Sequence, residues 1–257
     1  MKIKVNRFAA GYLAAFLLCV GCGSLRAQSR TDTLNTLSPK ERKQGFQLLF
    51  NGTDLGGWRA IGTDKPPAKG WVVENGVLHV LASKEGYAGR GGDIVTVQKF
   101  DFFELTFDFR ITEGANSGVK YFVMDSIATP GAGLGLEYQI LDDEHHPDAR
   151  LGRDGDRTQG SLYDLIPADK SDPRTRKPIG EWNHGRIVAS PDGHIQHWLN
   201  GVKVLEYTRG SDRFNDLVAH SKFAGIRGFG KPAVAPILLQ DHGNSVYFAN
   251  IKVRQLK

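Results

Sequence analysis

One stretch of the chain concentrates side chains able to move protons. Glu137 and Gln139 are followed by Asp142, Asp143, Glu144, His145, His146 and Asp148. The preceding run, Gly131-Ala132-Gly133-Leu134-Gly135, reads as a glycine-rich loop. Alternation then predicts a strand on which Leu136, Tyr138 and Ile140 share one face and Glu137 and Gln139 the other. Burying a carboxylate and an amide without partners is costly, so the polar face is expected to line a wet groove. The acid and histidine cluster offers metal-ligand chemistry, with Asp142 and His145 as candidate ligands for a hard divalent ion. Such an ion would act as a Lewis acid. The other reading is a solvated acidic loop, and no His-Glu-x-x-His pattern is present. No cofactor is required by the sequence.

A second polar cluster lies at Gln196-His197-Trp198. Strict alternation places His197 with Ile195 and Leu199, and Gln196 with Trp198. Either His197 is a satisfied core histidine and Trp198 an aromatic platform on the groove face, or a bulge re-aims the histidine. Gln240 and His242 alternate with Leu239 and Asp241, and could line the groove or cap a loop. Asp54, Trp58 and Trp71 are assigned to turns and core.

The elements that must hold these groups are strands. Phe103 to Ile111 alternates without a break, as a half-buried antiparallel strand does. Asn75-Gly76 and Asn200-Gly201 are strong hairpin signals, joining Trp71–Glu74 to Val77–Val80 and His194–Leu199 to Val202–Tyr207. Further strands are expected at 45–50, 94–96, 119–123, 186–189, 237–241 and 246–253, with Asn116-Ser117-Gly118 as a turn. The irregular region 143–184 is long enough to suggest a functional loop, in which 160–165 tucks back towards the groove. No sustained helical period appears beyond one turn after Ser38. Short strands with turn signals throughout predict an all-β, two-sheet antiparallel sandwich.

The N-terminus reads as an export signal over residues 1–27: Lys2, Lys4 and Arg7 precede a largely apolar run from Phe8 to Val20. Cys19-Val20-Gly21-Cys22 is an imperfect lipoprotein box, with Cys22 as a candidate lipid anchor. Residues 28–44 are expected to be a linker and 45–257 a single domain. The chain is therefore expected to be secreted, periplasmic or anchored at an outer membrane, with no transmembrane helix in the mature part. Its 257 residues carry a formal charge of +5, but residues 1–27 hold Lys2, Lys4, Arg7 and Arg26 and no acid, leaving +1 beyond them. No polybasic footprint for nucleic acid remains. Both cysteines fall in the same segment, so the core rather than a disulfide framework must stabilise the domain.

Several blocks, in order, resemble the 3-keto-disaccharide hydrolase domain family. They include Phe46-Gln47-Leu48-Leu49-Phe50-Asn51-Gly52, Gly92-Asp93-Ile94-Val95-Thr96, Asn116-Ser117-Gly118, Glu137-Tyr138-Gln139-Ile140-Leu141-Asp142, Ser161-Leu162-Tyr163, His197-Trp198-Leu199-Asn200-Gly201 and Leu239-Gln240-Asp241-His242-Gly243. The resemblance implies a concanavalin A-like, laminarinase-like jelly roll with a carbohydrate groove on a concave sheet. It also implies cleavage of glycosides whose glucose unit is oxidised at C3.

A ketone at C3 acidifies the C2 hydrogen, so a base can start a β-elimination that expels the C1 substituent; water can then add. On this reading Glu137 or His197 is the base, Lys120 or His242 polarises the ketone, and Asp142 or Tyr163 serves the leaving group. Asn116, Gln139, Tyr163, Trp198, Gln240, His242 and Asp93 are expected to contact substrate, an oligosaccharide or glycoside. Two other functions fit the same residues. An ordinary retaining glycosidase would use Glu137 and Asp142, needing carboxyls about 5–5.5 Å apart; Gln139 stands where laminarinase-like enzymes carry an Asp, and Asp142 is shorter than their second Glu. A non-catalytic carbohydrate-binding module would bind sugar without turning it over.

Overall fold

The computed structural model describes residues 34–83, 91–124 and 132–257. The expected export signal, Cys22 and the start of the glycine-rich run at Gly131 lie outside these residues. Among the described residues thirteen strands follow the order β1 (Gln47–Leu48), β2 (Trp58–Ala60), β3 (Trp71–Glu74), β4 (Val77–Val80), β5 (Ile94–Thr96), β6 (Phe103–Ile111), β7 (Asn116–Met124), β8 (Leu134–Leu141), β9 (Asn183–Ala189), β10 (His194–Leu199), β11 (Val202–Thr208), β12 (Leu238–Leu239) and β13 (Val246–Gln255). Two short α-helices, α1 (Pro39–Lys43) and α2 (Asp212–Ala219), and two 3-10 turns, Pro147–Arg150 and Pro173–Thr175, complete the regular structure of the described residues.

The larger sheet runs β11-β10-β9-β6-β13-β4-β3, with β1 also paired to β13; the smaller runs β2-β5-β12-β7-β8. The paired strands are antiparallel throughout. This is the two-sheet sandwich that alternation predicted, and the jelly roll that the resemblance implied. Its core forms where inward faces meet: Phe107 of β6 packs edge-on against Tyr138 of β8, centroids 5.3 Å apart, and Phe103 meets Tyr121 at 6.3 Å. Each such ring contributes about 1.5–3 kcal/mol on burial. Both Asn-Gly hairpins form with positive φ at each turn residue, as a type I′ turn requires.

Three elements differ from the sequence expectation. Asn116-Ser117-Gly118 is the start of β7 rather than a turn, because Asn116 and Gly118 pair with Leu141 and Gln139. The stretch after β11 forms α2, capped by Ser211, whose hydroxyl accepts from Phe214 N at 3.2 Å. Residues 34–44 are docked rather than a free linker. Asn35 and Asn250 exchange backbone-to-amide hydrogen bonds at 2.7 and 2.9 Å, and Glu41 of α1 pairs with Lys252 at 2.7 Å. No helix among the described residues is long and apolar enough to cross a membrane.

Candidate active site

The outer face of the smaller sheet carries the site. Register places Lys120 opposite Glu137, Gly118 opposite Gln139, and Asn116 opposite Leu141. Directly opposed side chains share a face, so these three rungs form one polar row. The apolar partners Val119 and Tyr138, between the rungs, turn into the sandwich. Over the row closes a cavity of about 100 Å³, lined among others by Asn116, Lys120, Glu137, Gln139, Tyr163 and Lys222, with Gln240 and His242 on another wall.

Glu137 sits above a residue with no side chain. A Cβ on Gly118 would lie 2.4 Å from Glu137 Oε1 and 2.9 Å from Cγ, so only glycine leaves room for this carboxyl. Glu137 is 7% exposed, and loss of hydration raises its pKa. Lys120 and Lys222 pull it back down, while Asp93 pushes it further up. Lys120 Nζ lies 3.6 Å from Glu137 Oε2 and 3.9 Å from Asp93 Oδ2, and donates to Gly133 O at 3.0 Å. Asp93 is held in turn by Gly133 N at 2.9 Å and Asp241 N at 3.0 Å. Asp93 is therefore a brace beneath Lys120, buried below the cavity lining.

The remaining wall comes from two loops. Segment 160–163 runs along the free edge of β8: Gly160 N and Tyr163 N donate to Gln139 O and Glu137 O at 2.9 and 3.0 Å, and Gln139 N donates to Ser161 O at 3.1 Å. It tucks back as the sequence suggested. Tyr163 hydroxyl donates to Asp148 at 2.8 Å, which also receives Arg157 at 3.0 Å. The second loop follows α2 and delivers Lys222, whose backbone N–H donates to Asp164 at 2.8 Å. Its ammonium lies 4.0 Å over the Tyr163 ring, with no ion pair among the described residues. Burial lowers the Lys222 pKa, partly offset by Glu137 and Asp164. The amide oxygens of Gln139 and Gln240 are buried and lack a hydrogen-bond partner. Unpaired buried acceptors are costly, and both belong to residues lining this cavity.

Three sequence candidates fall elsewhere. His197 is fully buried in the sandwich: its Nδ1 donates to Gly160 O at 3.0 Å, and its Nε2 accepts from Tyr121 at 2.6 Å. Burial lowers its pKa to about 4, so it is a satisfied core histidine and not a base for substrate. The bulge beside it, between His197 and Trp198, does not turn it outward. Trp198 lies on the outer face of the other sheet, under the Arg186 guanidinium at 4.8 Å, and is no platform for this cavity. Asp142 closes the loop after β8. Burial alone would raise its pKa, but hydrogen bonds from Gly114 N, His145 and Glu144 N outweigh that and lower it. It does not line the Glu137 cavity. Asp142 and His145 do meet, at 2.8 Å, but among the described residues no three His, Cys, Asp or Glu side chains gather as a metal site.

Sequence reading missed Lys222, because the stretch from 208 to 236 shows neither strand alternation nor a recognisable motif. A lysine beside Phe223 is ordinary until the fold carries both over Tyr163.

An antiparallel jelly roll with a carboxyl, two lysines and unpaired amide acceptors in one cavity defines a protein of the carbohydrate-active class. Comparison with known proteins is more specific. Residues 45–254 match the model of the 3-keto-alpha-glucoside-1,2-lyase-like domain, and the chain belongs to that family. It is 36% identical over 233 residues to a 3-keto-disaccharide hydrolase of Bacteroides thetaiotaomicron, covering 82% of this chain and 79% of that one. Two crystal structures from Parabacteroides distasonis, provisionally named glycosyl hydrolases, share the fold. One is 30% identical with a TM-score of 0.74, covering 87% of this chain and 100% of its own. The other is 29% identical with a TM-score of 0.58, covering 82% and 99%.

Proposed function

We propose that the protein cleaves glycosides whose glucose unit carries a ketone at C3, starting with β-elimination. The observation that carries this reading is Glu137, a buried carboxyl with a raised pKa lying between two lysines. Glu137 removes the C2 proton. The electron pair left at C2 spreads onto the C3 oxygen, where the Lys120 and Lys222 ammonium groups stabilise the developing charge. Collapse of the enolate forms the C1–C2 double bond and breaks the bond from C1 to the leaving oxygen. That oxygen takes a proton from Tyr163, the hydroxyl among the lining side chains, which turns from Asp148 to give it and is restored by a proton from water. Water added at C1 then gives the free 3-keto sugar, and release before addition gives the unsaturated product. The unpaired oxygens of Gln139 and Gln240 accept from ring hydroxyls. Asp142, engaged by its own loop, has no part in the reaction.

The relative named a 3-keto-disaccharide hydrolase supports the same substrate class. We place the protein outside the cytoplasm, exported by residues 1–27, with Cys22 as the anchor where it is lipidated. The test is incubation with a 3-keto glucoside and with the unoxidised glucoside in deuterated water, followed by mass. The expected result is loss of the aglycone from the oxidised substrate alone, with deuterium entering at C2 of substrate or hydrated product. Equal cleavage of both substrates would overturn the reading.

A further inference from the structure

Arg157, in the irregular region 143–184, does not line the Glu137 cavity, yet three residues that do are fastened to it. Its carbonyl oxygen receives the Gln139 side-chain amide at 3.4 Å. Its Nη1 donates to Asp148 at 3.0 Å, and the other oxygen of Asp148 accepts the Tyr163 hydroxyl at 2.8 Å. On the far side, Nε donates to Asp164 Oδ1 at 2.7 Å, and Nη2 lies 2.6 Å from the same oxygen. Asp164 Oδ2 accepts the backbone N–H of Lys222 at 2.8 Å. Tyr163 and Lys222 sit on separate loops, and one guanidinium joins the two carboxylates that hold them.

The surrounding chain is shaped to this arginine. A Cβ on Gly152, at φ +83°, would lie 3.0 Å from both Cγ and Nε of Arg157 and 2.2 Å from Asp156 Oδ1. Only glycine lets the loop close there. Asp164 itself takes φ +61°, a conformation uncommon outside glycine, at the corner where its carboxylate bridges Arg157 and Lys222. Burial works against the Arg157 charge, but Asp164 and Asp148 outweigh it and raise its pKa. A planar fork serves two acids at once, which the single ammonium of a lysine does not. The arginine also acts on Tyr163. Burial and the Asp148 carboxylate raise the phenol's pKa, and the Arg157 charge opposes them, loosening the hold of Asp148 on the proton.

We propose that Arg157 is the positioning residue of this site, holding the Tyr163 phenol and Lys222 on one frame so that the leaving oxygen is protonated as the enolate collapses. The proposal rests on the function proposed for Glu137. In the step it assists, the Tyr163 O–H bond breaks and the leaving oxygen takes the proton. The phenolate so formed is stabilised by the guanidinium, 5.5 Å from the ring centre, until water returns a proton.

The test is Arg157→Lys, which keeps a cation but gives up the fork, assayed on methyl and on 4-nitrophenyl 3-keto-glucoside. Nitrophenolate departs without a proton, whereas methoxide needs one. The kcat on the methyl glycoside should fall about tenfold further than on the nitrophenyl glycoside, the value of one hydrogen bond to a charge. Equal losses on both, or a change confined to KM, would overturn the proposal, because a merely structural arginine affects both substrates alike. Should Arg157→Lys fail to fold, Asp148→Asn replaces it. That variant leaves an acceptor for Tyr163 but removes the charge that Arg157 opposes, so the nitrophenyl-to-methyl ratio of kcat should drop below the wild-type value. A ratio at or above wild type would overturn the proposal. If wild type cleaves neither oxidised substrate, the function at Glu137 falls, and the frame is judged by hydrogen exchange at the Lys222 amide. Reduced protection in Arg157→Lys upholds it, and unchanged protection ends it.

Discussion

Glu104 of β6 and Glu137 of β8 lie on the outer faces of opposite sheets and are equally buried, 7% exposed each. Glu104 receives Arg186 Nε at 2.6 Å and Arg254 Nε at 2.8 Å, with a second bond from Arg254 Nη2. Both its oxygens are engaged by planar, permanently charged donors. Glu137 has a single ammonium at 3.6 Å and an unpaired one further off. Burial is the same, yet one carboxylate is a closed structural joint and the other is left open to a cavity. The difference lies in how completely each charge is answered. His197 falls on the Glu104 side of that line, both ring nitrogens being engaged inside the core.

The sharpest way to break this comparison is to replace each acid by its amide. Glu137→Gln should lower the turnover of a 3-keto glycoside by about 10²–10⁴-fold, the range for a lost general base. A carboxyl whose folded pKa is raised stabilises the protein below its unfolded pKa and loses that contribution as pH rises through the folded value. Melting curves of Glu137→Gln should therefore match wild type in acid and exceed it at neutral pH. Glu104→Gln should do the reverse, keeping turnover while losing about 1 kcal/mol, a modest figure because its arginines are partly solvated.

His197 gives the next largest effect. With a folded pKa of about 4 against 6.5 unfolded, its neutral form contributes stability above pH 6.5 that declines as pH falls towards 4, by about 3 kcal/mol at pH 4. In His197→Gln that part of the acid slope should disappear from denaturant titrations, with turnover retained. A collapse of kcat that no loss of folding explains would return His197 to the catalytic group.

Gly118→Ala pushes a methyl group against the Glu137 carboxyl. Displacement of the base should cost about 100-fold in kcat/KM and about 1–3 kcal/mol in stability. Smallest of the set, Lys222→Met should slow turnover by about tenfold, the value of one hydrogen bond to a charge. Because the Lys222 charge holds the Glu137 pKa down, its loss should move the acid limb of the kcat/KM profile to higher pH. An unmoved limb would separate Lys222 from the carboxyl.

The sequence disclosed the sandwich because alternation is a local signal: Phe103 to Ile111 reads the same on paper as in the sheet. It also disclosed the Glu137 row, since one strand carries Glu137 and Gln139 and the block at Gln240 sits two strands away. Asp142 was misread because spacing shows that a carboxylate is near, not that Gly114, Glu144 and His145 have already claimed it. Trp198 was misread because alternation assigns a residue to a face without saying which sheet's face bears substrate. Lys222 was invisible for a third reason: its neighbours Tyr163 and Glu137 are 59 and 85 positions away, and no short window spans them.

The asparagine clasp between Asn35 and Asn250 has a mechanical consequence. Asn250 belongs to β13, which lies inside the larger sheet between β6 and β4. A pull arriving from the N-terminal side is therefore delivered to the middle of that layer, where neighbouring strands resist by sliding together rather than unzipping one at a time. Lys120 and Glu137 stand on the opposite layer, off that line of tension.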